Sequence, residues 1–337
     1  MGLMIESKAA DAWTVHGGRL DAARRAYPDV AEWIDLSTGI NPDPWPIARA
    51  GVLDWGALPE PIALAELEAA AAGYFGVAPD RVVAVPGSET GLRLLGRIGL
   101  PAPYRHAAPG YRTHADIFPG SIGLSLEGAL SPPPGGTIVF GNPDNPTGRI
   151  VPAETVFALA DARRASGGWL IVDEAFADTD PDISVLPHLA PDASVIVLRS
   201  FGKFFGLAGV RLGFVVAPRA IDARVRRAIG AWPVSSAAIA FGTAAYRDDA
   251  WIAETRGALV RRAEALDQAL RRHRLEPIGG CPLFRTVETP DAARLFGRLA
   301  ACGILTRPFD HSPTWLRFGV PSGAEALARL DAALGDG

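Results

Sequence analysis

The chain has 337 residues, of which 48% are hydrophobic and 21% are charged, and its formal net charge is −4. This length exceeds one typical core and predicts two lobes of a globular protein. The acidic balance leaves no basic field for nucleic acid or an anionic membrane, so local groups must meet any bound anion.

Residues 1–60 are rich in proline and glycine, above all in STGINPDPWP, and we interpret them as an extended arm and part of a small domain. Their first residues lack the cationic start and apolar run of a signal peptide. No stretch of the chain reaches the roughly 18 apolar residues that a membrane span needs. We therefore expect a cytoplasmic protein that binds neither a membrane nor nucleic acid.

Residues 61–225 alternate apolar strand patterns with helical ones, which predicts a large domain with a mostly parallel sheet covered by helices on both faces. The first helix, ALAELEAAAAGY, is expected to end at Gly76. Strands are predicted at RVVAV, TIVFG, GWLIVD, SVIVLRSF and GVRLGFVVA, and helices at GSETGLRLLGRI and AETVFALADARRAS. The fold class is therefore α/β.

Residues 226–337 change pattern and predict a small α+β domain. Its expected helices are WIAETRGALVRRAEALDQALRRH, DAARLFGRLAACG and GAEALARLDAALG, and its strand-like segments are ILTRPF and WLRFGV. Cys281 and Cys302 lack metal-ligand spacing, and no metal site is predicted. We expect two reduced core thiols, with a structural disulfide as the alternative.

Lysine is rare in this chain, and one of its two lysines lies in an apolar, glycine-rich segment. The two are Lys8 and Lys203, the latter within RSFGKFFGLAGVRLGF. Burial lowers a lysine's pKa because low-dielectric surroundings disfavour the charged form. A neutral amine is a nucleophile toward a carbonyl carbon. The alternative is a side chain whose stem packs while its ammonium group reaches solvent.

Polar residues also follow predicted strands, where ligands of open α/β sheets bind. Asp173 and Glu174 end one apolar run, and a carboxylate there can hold a protonated ring nitrogen. Gly87, Ser88 and Glu89 stand between a strand and a helix. Their free N–H groups form either a phosphate site, with the carboxylate of Glu89 pointing away, or a helix N-terminus capped by Ser88.

Two more motifs each allow two interpretations when they are considered alone. The loop NPDNPTG contains two Asn-Pro pairs that restrict the backbone, so Asn145 either presents its amide to a ligand or belongs to a tight surface turn. Tyr111 either stacks on a flat ring or packs in the core. Pyridoxal 5′-phosphate needs an amine, a carboxylate for its pyridine nitrogen, a donor for its phenolate oxygen, a flat neighbour and a phosphate cradle. The motifs converge on this cofactor.

The chain resembles, over essentially its full length, the fold-type I pyridoxal-phosphate enzymes of the class I/II aminotransferase superfamily. SFGKFFGLAGVRLGF is similar to their lysine motif, which implies a Schiff base at Lys203 and phosphate ligands at Ser200 and Arg211. NPDNPTG and DEAF are similar to two further family motifs. They imply that Asn145 contacts the cofactor's O3′ and that Asp173 contacts its pyridine nitrogen.

Tyr111 matches the family's stacking aromatic residue, and two other positions depart from the pattern. Phe176 stands where many members have a tyrosine that bonds O3′. Leu58 stands where many have a tyrosine that reaches the phosphate of the partner subunit. The resemblance also implies a homodimer that involves the 1–60 arm.

Three segments look like those of the threonine-phosphate decarboxylases of cobalamin biosynthesis: HGGRL, IDLSTGINPDPWP and ILTRPFDHSPTWLRFGVP. This resemblance implies that L-threonine O-3-phosphate is converted to (R)-1-amino-2-propanol O-2-phosphate. A planar guanidinium group holds either anion of that substrate. We assign the carboxylate to Arg317 and the phosphate to Arg307, with the reverse kept open. His16 and Gly17 would close the site near the phosphate, and Gly39 would let the backbone approach the substrate.

The residues leave the reaction type open. With Lys203 and Asp173 as the catalytic residues, the outcome depends on which bond at Cα stands perpendicular to the cofactor ring. Loss of the carboxylate gives decarboxylation, and loss of the proton gives transamination, as in histidinol-phosphate aminotransferase. A non-catalytic cofactor-binding regulator is a third hypothesis, which the absence of a basic patch disfavours.

Overall fold

The structure is a computed structural model that describes residues 13–335. It divides into two compact units. One comprises the described residues up to Asp43, Pro146–Gly148 and the chain from Thr255 onward; the other comprises 44–145 and 149–254. The predicted limits, 1–60, 61–225 and 226–337, stay a prediction of domain organisation. The first twelve residues, on which the expectation of no signal peptide depends, lie outside the described part.

The described strands are short. In chain order they are β1 (Ile34–Asp35), β2 (Val82–Val85), β3 (Tyr104–Ala107), β4 (Ile122–Leu124), β5 (Thr137–Gly141), β6 (Trp169–Asp173), β7 (Val195–Ser200), β8 (Gly213–Val216), β9 (Pro277–Cys281), β10 (Phe284–Glu288), β11 (Ile304–Leu305), β12 (Arg307–Pro308) and β13 (Trp315–Gly319).

The described α-helices range from one turn to more than six. In chain order they are α1 (Leu20–Ala26), α2 (Pro61–Phe75), α3 (Ser88–Leu95), α4 (Arg112–Asp116), α5 (Leu126–Leu130), α6 (Ala153–Ala165), α7 (Phe201–Phe204), α8 (Arg219–Ile229), α9 (Ser236–Tyr246), α10 (Asp249–Arg272), α11 (Ala292–Ala301) and α12 (Gly323–Gly335).

The larger unit is built on a seven-stranded sheet with the order β2-β8-β7-β6-β5-β3-β4. The neighbours from β7 to β4 are parallel, whereas β8 runs antiparallel to both β2 and β7. Strands β2, β5, β7 and β8 are buried along their whole length, as expected for a sheet covered on both faces.

Alternate side chains of the strands fill two separate layers. On one face Val215 packs with Leu92 of α3 and Ile221 of α8 in a single core cluster. On the other face the preceding residue, Phe214, meets the rings of Phe75 in α2 and Tyr246 in α9 at centroid distances of 5.6 Å. The predicted α/β fold class is confirmed.

The smaller unit contains a four-stranded antiparallel sheet with the order β12-β13-β10-β9. It also contains a two-stranded parallel pair, in which Ile34 of β1 lies opposite Ile304 of β11. Both cysteines are free thiols; Cys281 is buried and Cys302 is half-buried.

Part of the range 1–60, which we interpret as an extended arm and part of a small domain, has regular secondary structure. Residues 20–26 form α1, and Ile34–Asp35 forms a strand with β11. The short helix LDAARRA is stabilised by burial of Ala23 within a cluster that contains Trp13 and Leu305, a contact that local composition does not reveal. Among the described residues, no helix is long and apolar enough to cross a membrane.

Candidate active site

The carboxyl ends of the central strands meet at one cavity of about 150 Å³ in the larger unit. All nine residues that the sequence suggests for a cofactor line it: Gly87, Ser88, Glu89, Tyr111, Asn145, Asp173, Ser200, Lys203 and Arg211. They come from six separate segments of the chain. Parallel neighbours end at the same edge of a sheet, which is why motifs far apart in sequence converge here.

Asp173, the last residue of β6, is only 7% exposed and has two hydrogen-bonding partners. Its Oδ2 lies 3.0 Å from Nε2 of His114, and its Oδ1 accepts the backbone N–H of Ala175 at 3.2 Å. His114 is 1% exposed and lines the same cavity. Sequence reasoning missed this histidine, because nothing in YRTHAD indicates a partner 59 residues away.

A helix N-terminus contributes backbone donors. Gly87 is the N-cap of α3, with a φ of 85° that favours glycine, and no side chain caps the helix. The first N–H groups of α3, at Ser88 and Glu89, therefore lie where an anion is favoured by the exposed donors and the helix dipole. A Cβ on Gly87 would lie 2.6 Å from Nη2 of Arg211, so a guanidinium group adjoins this turn. The alternative, a helix N-terminus capped by the side chain of Ser88, is therefore wrong, because Gly87 is the N-cap and Ser88 is the first residue of α3.

Lys203 lies on the short helix α7, which begins directly after Ser200 at the end of β7. Its side chain is half-buried, and Nζ lies 5.8 Å from the ring centroid of Phe176. Phe176 is buried, so the departure from the family's tyrosine places an apolar ring beside the amine. Leu58, the second departure, is 64% exposed.

The two asparagines of the NPDNPTG loop have different environments. Asn142 is fully buried and holds the loop closed, since its amide donates to the carbonyl of Val151 and its Oδ1 accepts the N–H of Val151. The Asn142–Pro143 peptide is cis. Asn145 instead lines the cavity, so the loop is more than a surface turn.

A buried ion cluster lies behind the strand ends that carry Asp173 and Ser200. Arg199 Nη1 donates to Oε2 of Glu174 at 2.9 Å, and its Nη2 donates to Asp178. All three side chains are almost fully buried. Burial by itself would lower the pKa of Arg199. The charges of Asp178 and Glu174 more than offset this effect, so the pKa of Arg199 is raised overall. Glu174, the second acid of the DE pair, therefore has a structural role in this arrangement.

In the smaller unit, Arg307 and Arg317 lie directly opposite each other on β12 and β13. Arg317 is 3% exposed, and its Nη2 donates to the carbonyl of Ser37 at 2.9 Å. Burial, and secondarily the charge of Arg307, lowers the pKa of Arg317 to about 9. Like charges directly opposite each other in a ladder are destabilising, and a bound anion would relieve this repulsion.

The segment that contains Gly17 and Gly18 is hydrogen-bonded to Arg307 and Ser37 of the same unit. Arg307 Nη2 donates to the carbonyl of Val15 at 3.1 Å, and Gly18 N–H donates to Oγ of Ser37 at 2.7 Å. Gly17 must be glycine, since a Cβ there would lie 2.3 Å from the carbonyl oxygen of Ser37.

The structure also places the two other predicted substrate residues in this unit. His16, next to Gly17, is exposed, and Gly39, two residues after Ser37, is buried. The roles assigned to His16, Gly17, Gly39, Arg307 and Arg317 stay predictions.

The cavity in the larger unit fits the chemistry of pyridoxal 5′-phosphate. It offers an amine at Lys203, a buried carboxylate with a histidine partner, a side-chain amide and an aromatic ring. A helix N-terminus without a side-chain cap adjoins a guanidinium group, which suits a phosphate. The residues present therefore match the cofactor's functional groups one by one.

Residues 125–330 match the family model for aminotransferase class I and II, which covers more than half of the chain. The chain belongs to the class I and II aminotransferase family. It is 42% identical to a threonine-phosphate decarboxylase of a Sinorhizobium species over 95% of this chain and 97% of that protein. It is 39% identical to that of Pseudomonas aeruginosa, with coverages of 95% and 96%.

Aminotransferases are also similar to this chain. Histidinol-phosphate aminotransferase 1 of Bordetella parapertussis is 29% identical, over 90% of this chain and 92% of that protein. The structure of histidinol-phosphate aminotransferase from Sinorhizobium meliloti in complex with pyridoxal-5′-phosphate has a TM-score of 0.78 at 23% identity. It covers 93% of this chain and 92% of that chain. The predicted family resemblance is confirmed.

Proposed function

We propose that the protein is a pyridoxal-phosphate-dependent decarboxylase that converts L-threonine O-3-phosphate to (R)-1-amino-2-propanol O-2-phosphate in cobalamin biosynthesis. The observation that carries this proposal is the cross-strand pair of Arg307 and Arg317, which suits a substrate with two anionic groups. The relatives with 42% and 39% identity carry the name of this activity.

The residues have distinct tasks in this proposal. Bound pyridoxal phosphate supplies an electron sink for the bond that breaks at the substrate's Cα. Asp173, held by His114, would keep a proton on the ring nitrogen. The amide of Asn145 would donate to O3′, and the turn from Gly87 to Glu89, with Ser200 and Arg211, would hold the cofactor phosphate. The amine of Lys203 would hold the cofactor and would donate a proton to the substrate's Cα.

The substrate's anions are assigned to the smaller unit. Arg317 is 3% exposed, and its planar guanidinium group suits the carboxylate through paired hydrogen bonds, whereas Arg307 takes the phosphate. His16 and Gly17 lie on the segment that Arg307 already fastens through the carbonyl of Val15. Conversion of Arg307 to methionine should therefore raise KM for threonine phosphate far more than it lowers kcat.

A direct assay tests the reaction. The purified protein, incubated with pyridoxal phosphate and threonine phosphate, should release carbon dioxide and the phosphorylated amine without any oxo-acid acceptor. Histidinol phosphate with 2-oxoglutarate is the competing substrate pair, and the lower identity to the Bordetella parapertussis enzyme, 29%, makes it the weaker candidate. Transamination of histidinol phosphate without carbon dioxide release from threonine phosphate would reject the decarboxylase.

A homodimer is the proposed assembly, and an apolar surface of the larger unit supports it. Large apolar side chains are exposed at several positions of this unit: Ile47, Val52, Trp55, Leu58, Ile62 and Trp232. Residues 59–64 and 229–234 line a groove of about 330 Å³, which brings Trp232 beside the segment that follows Leu58. Exposed apolar surface is a mark of protein interfaces.

Light scattering after size exclusion tests the assembly. Leu58→Arg should shift the protein from dimer to monomer, because a charge would be buried against an apolar surface. Ile122→Arg, an equally apolar exposed site on an edge strand of the same unit, is the matched control and should stay dimeric. A monomeric unaltered protein would reject the dimer. The cytoplasmic location stays a prediction.

A further inference from the structure

Glu89 connects two parts of the cavity that the proposed function treats as separate. Its backbone lies in the first turn of α3, at the predicted phosphate cradle. Its carboxylate reaches instead to the start of α4, where Oε2 accepts the hydroxyl of Tyr111 at 2.9 Å and that of Thr113 at 2.8 Å. Oε1 accepts Nε of Arg93 at 2.6 Å. One carboxylate thus receives three side-chain donors.

Glu89 and His114 both contact the side chain of Tyr111. Its hydroxyl bond to Glu89 fixes the tip, and its ring meets the His114 ring edge-on, with centroids 5.6 Å apart and planes at 85°. The residue also precedes α4 directly, so its backbone is set by the helix start. A tyrosine side chain has two rotatable bonds, and these contacts leave it one orientation.

We infer that Glu89 is a positioning residue that orients the ring of Tyr111 on which the cofactor stacks. This inference rests on the proposed cofactor. In this role Glu89 increases the affinity for the cofactor. The position of Glu89 in the phosphate turn does not explain such an effect, because a carboxylate by itself would repel a phosphate. The three donors and the N-terminal end of the α3 dipole offset its charge.

The ionisation of the two partners agrees with this geometry. Burial raises the pKa of Glu89, but the bonds from Thr113, Tyr111 and Arg93 more than offset this and lower it overall. Burial, and then the charge of Glu89, raises the pKa of Tyr111. Glu89 therefore stays an acceptor and Tyr111 stays a donor at neutral pH.

A double-mutant cycle on the intact protein tests the inference. The variants are Tyr111→Phe, Glu89→Met and the double change. The readouts are the dissociation constant for pyridoxal phosphate, measured by reconstitution of cofactor-free protein, and the visible circular dichroism per bound cofactor. Each single change should weaken binding on the order of tenfold, the size of one hydrogen bond to a charged group, and should alter the dichroic band.

Non-additivity is the decisive result. The double variant should be no weaker than Glu89→Met alone, because the phenylalanine then removes nothing further. Glu89→Gln keeps an acceptor oxygen and should bind the cofactor within about threefold of the unaltered protein. If the methionine variant does not fold, Glu89→Leu, which also removes the acceptor, provides the same comparison with Tyr111→Phe. Glu127→Met, which removes another glutamate–arginine pair, with Arg149, is the matched control and should change neither readout.

The outcomes separate this inference from the function on which it rests. Additive losses, or an unchanged dichroic band in Tyr111→Phe, would overturn the role of Glu89 while leaving the decarboxylase intact. An unaltered protein that binds no pyridoxal phosphate would overturn both. Normal cofactor binding without decarboxylation of threonine phosphate would reject only the proposed reaction.

Discussion

Replacement of Arg317 by methionine should stabilise the protein while it removes the activity. The pKa of Arg317 is lowered to about 9 from an ordinary value of 12.5. Each pKa unit corresponds to about 1.4 kcal/mol, so burial of the charge costs the folded state on the order of 5 kcal/mol. Methionine has a similar length and no charge, and it would relieve both the burial and the repulsion from Arg307.

Part of that gain is lost with the contacts of the guanidinium group. Arg317 donates to the carbonyl of Ser37 and lies 5.0 Å above the ring centroid of Phe284. Each contact stabilises by about 1–2 kcal/mol. We therefore expect Arg317→Met to unfold in urea with a free energy about 1–3 kcal/mol larger than that of the unaltered protein. Its kcat/KM for threonine phosphate should fall by about 10²–10³, the loss of one paired anion contact.

Urea unfolding at several pH values checks the electrostatic reasoning. Because the unfolded chain binds this proton more tightly than the folded chain does, the stability advantage of Arg317→Met should shrink as pH rises through 9. Arg307→Met, which removes the half-buried partner, is the control and should give a smaller gain. A variant that is less stable than the unaltered protein at pH 7 would refute this account. Full activity would refute the assignment of the substrate carboxylate.

Three further predictions concern Arg317, Lys203 and Arg199. The affinity for threonine phosphate should fall above pH 9 as Arg317 loses its proton, and this fall should move to higher pH in Arg307→Met, as KM measured against pH will show. Borohydride should attach the cofactor to Lys203 in the unaltered protein and to no peptide of Lys203→Ala, by mass analysis. Arg199→Met should lose about 3–5 kcal/mol in urea unfolding, because Glu174 would stay buried without its cation; an unchanged midpoint would contradict this.

The amino-acid sequence by itself indicated nine of the residues that line the cavity of the larger unit. Lys203, Asp173 and Asn145 each follow an apolar strand pattern, and parallel strands necessarily bring their ends to one edge. Gly87 is recognisable for a similar reason, since a glycine between a strand and a helix indicates a turn with free N–H groups. These signals are local, so a single sequence carries them.

Only the tertiary structure decided the partners of those residues. The contact between His114 and Asp173 joins positions 59 apart, and that between Tyr111 and Glu89 joins positions 22 apart. The opposition of Arg307 and Arg317 depends on strand register, since a slip of one residue would turn one side chain to the other face. Such pairings are set by the packing of the whole chain, and no spacing within a motif records them.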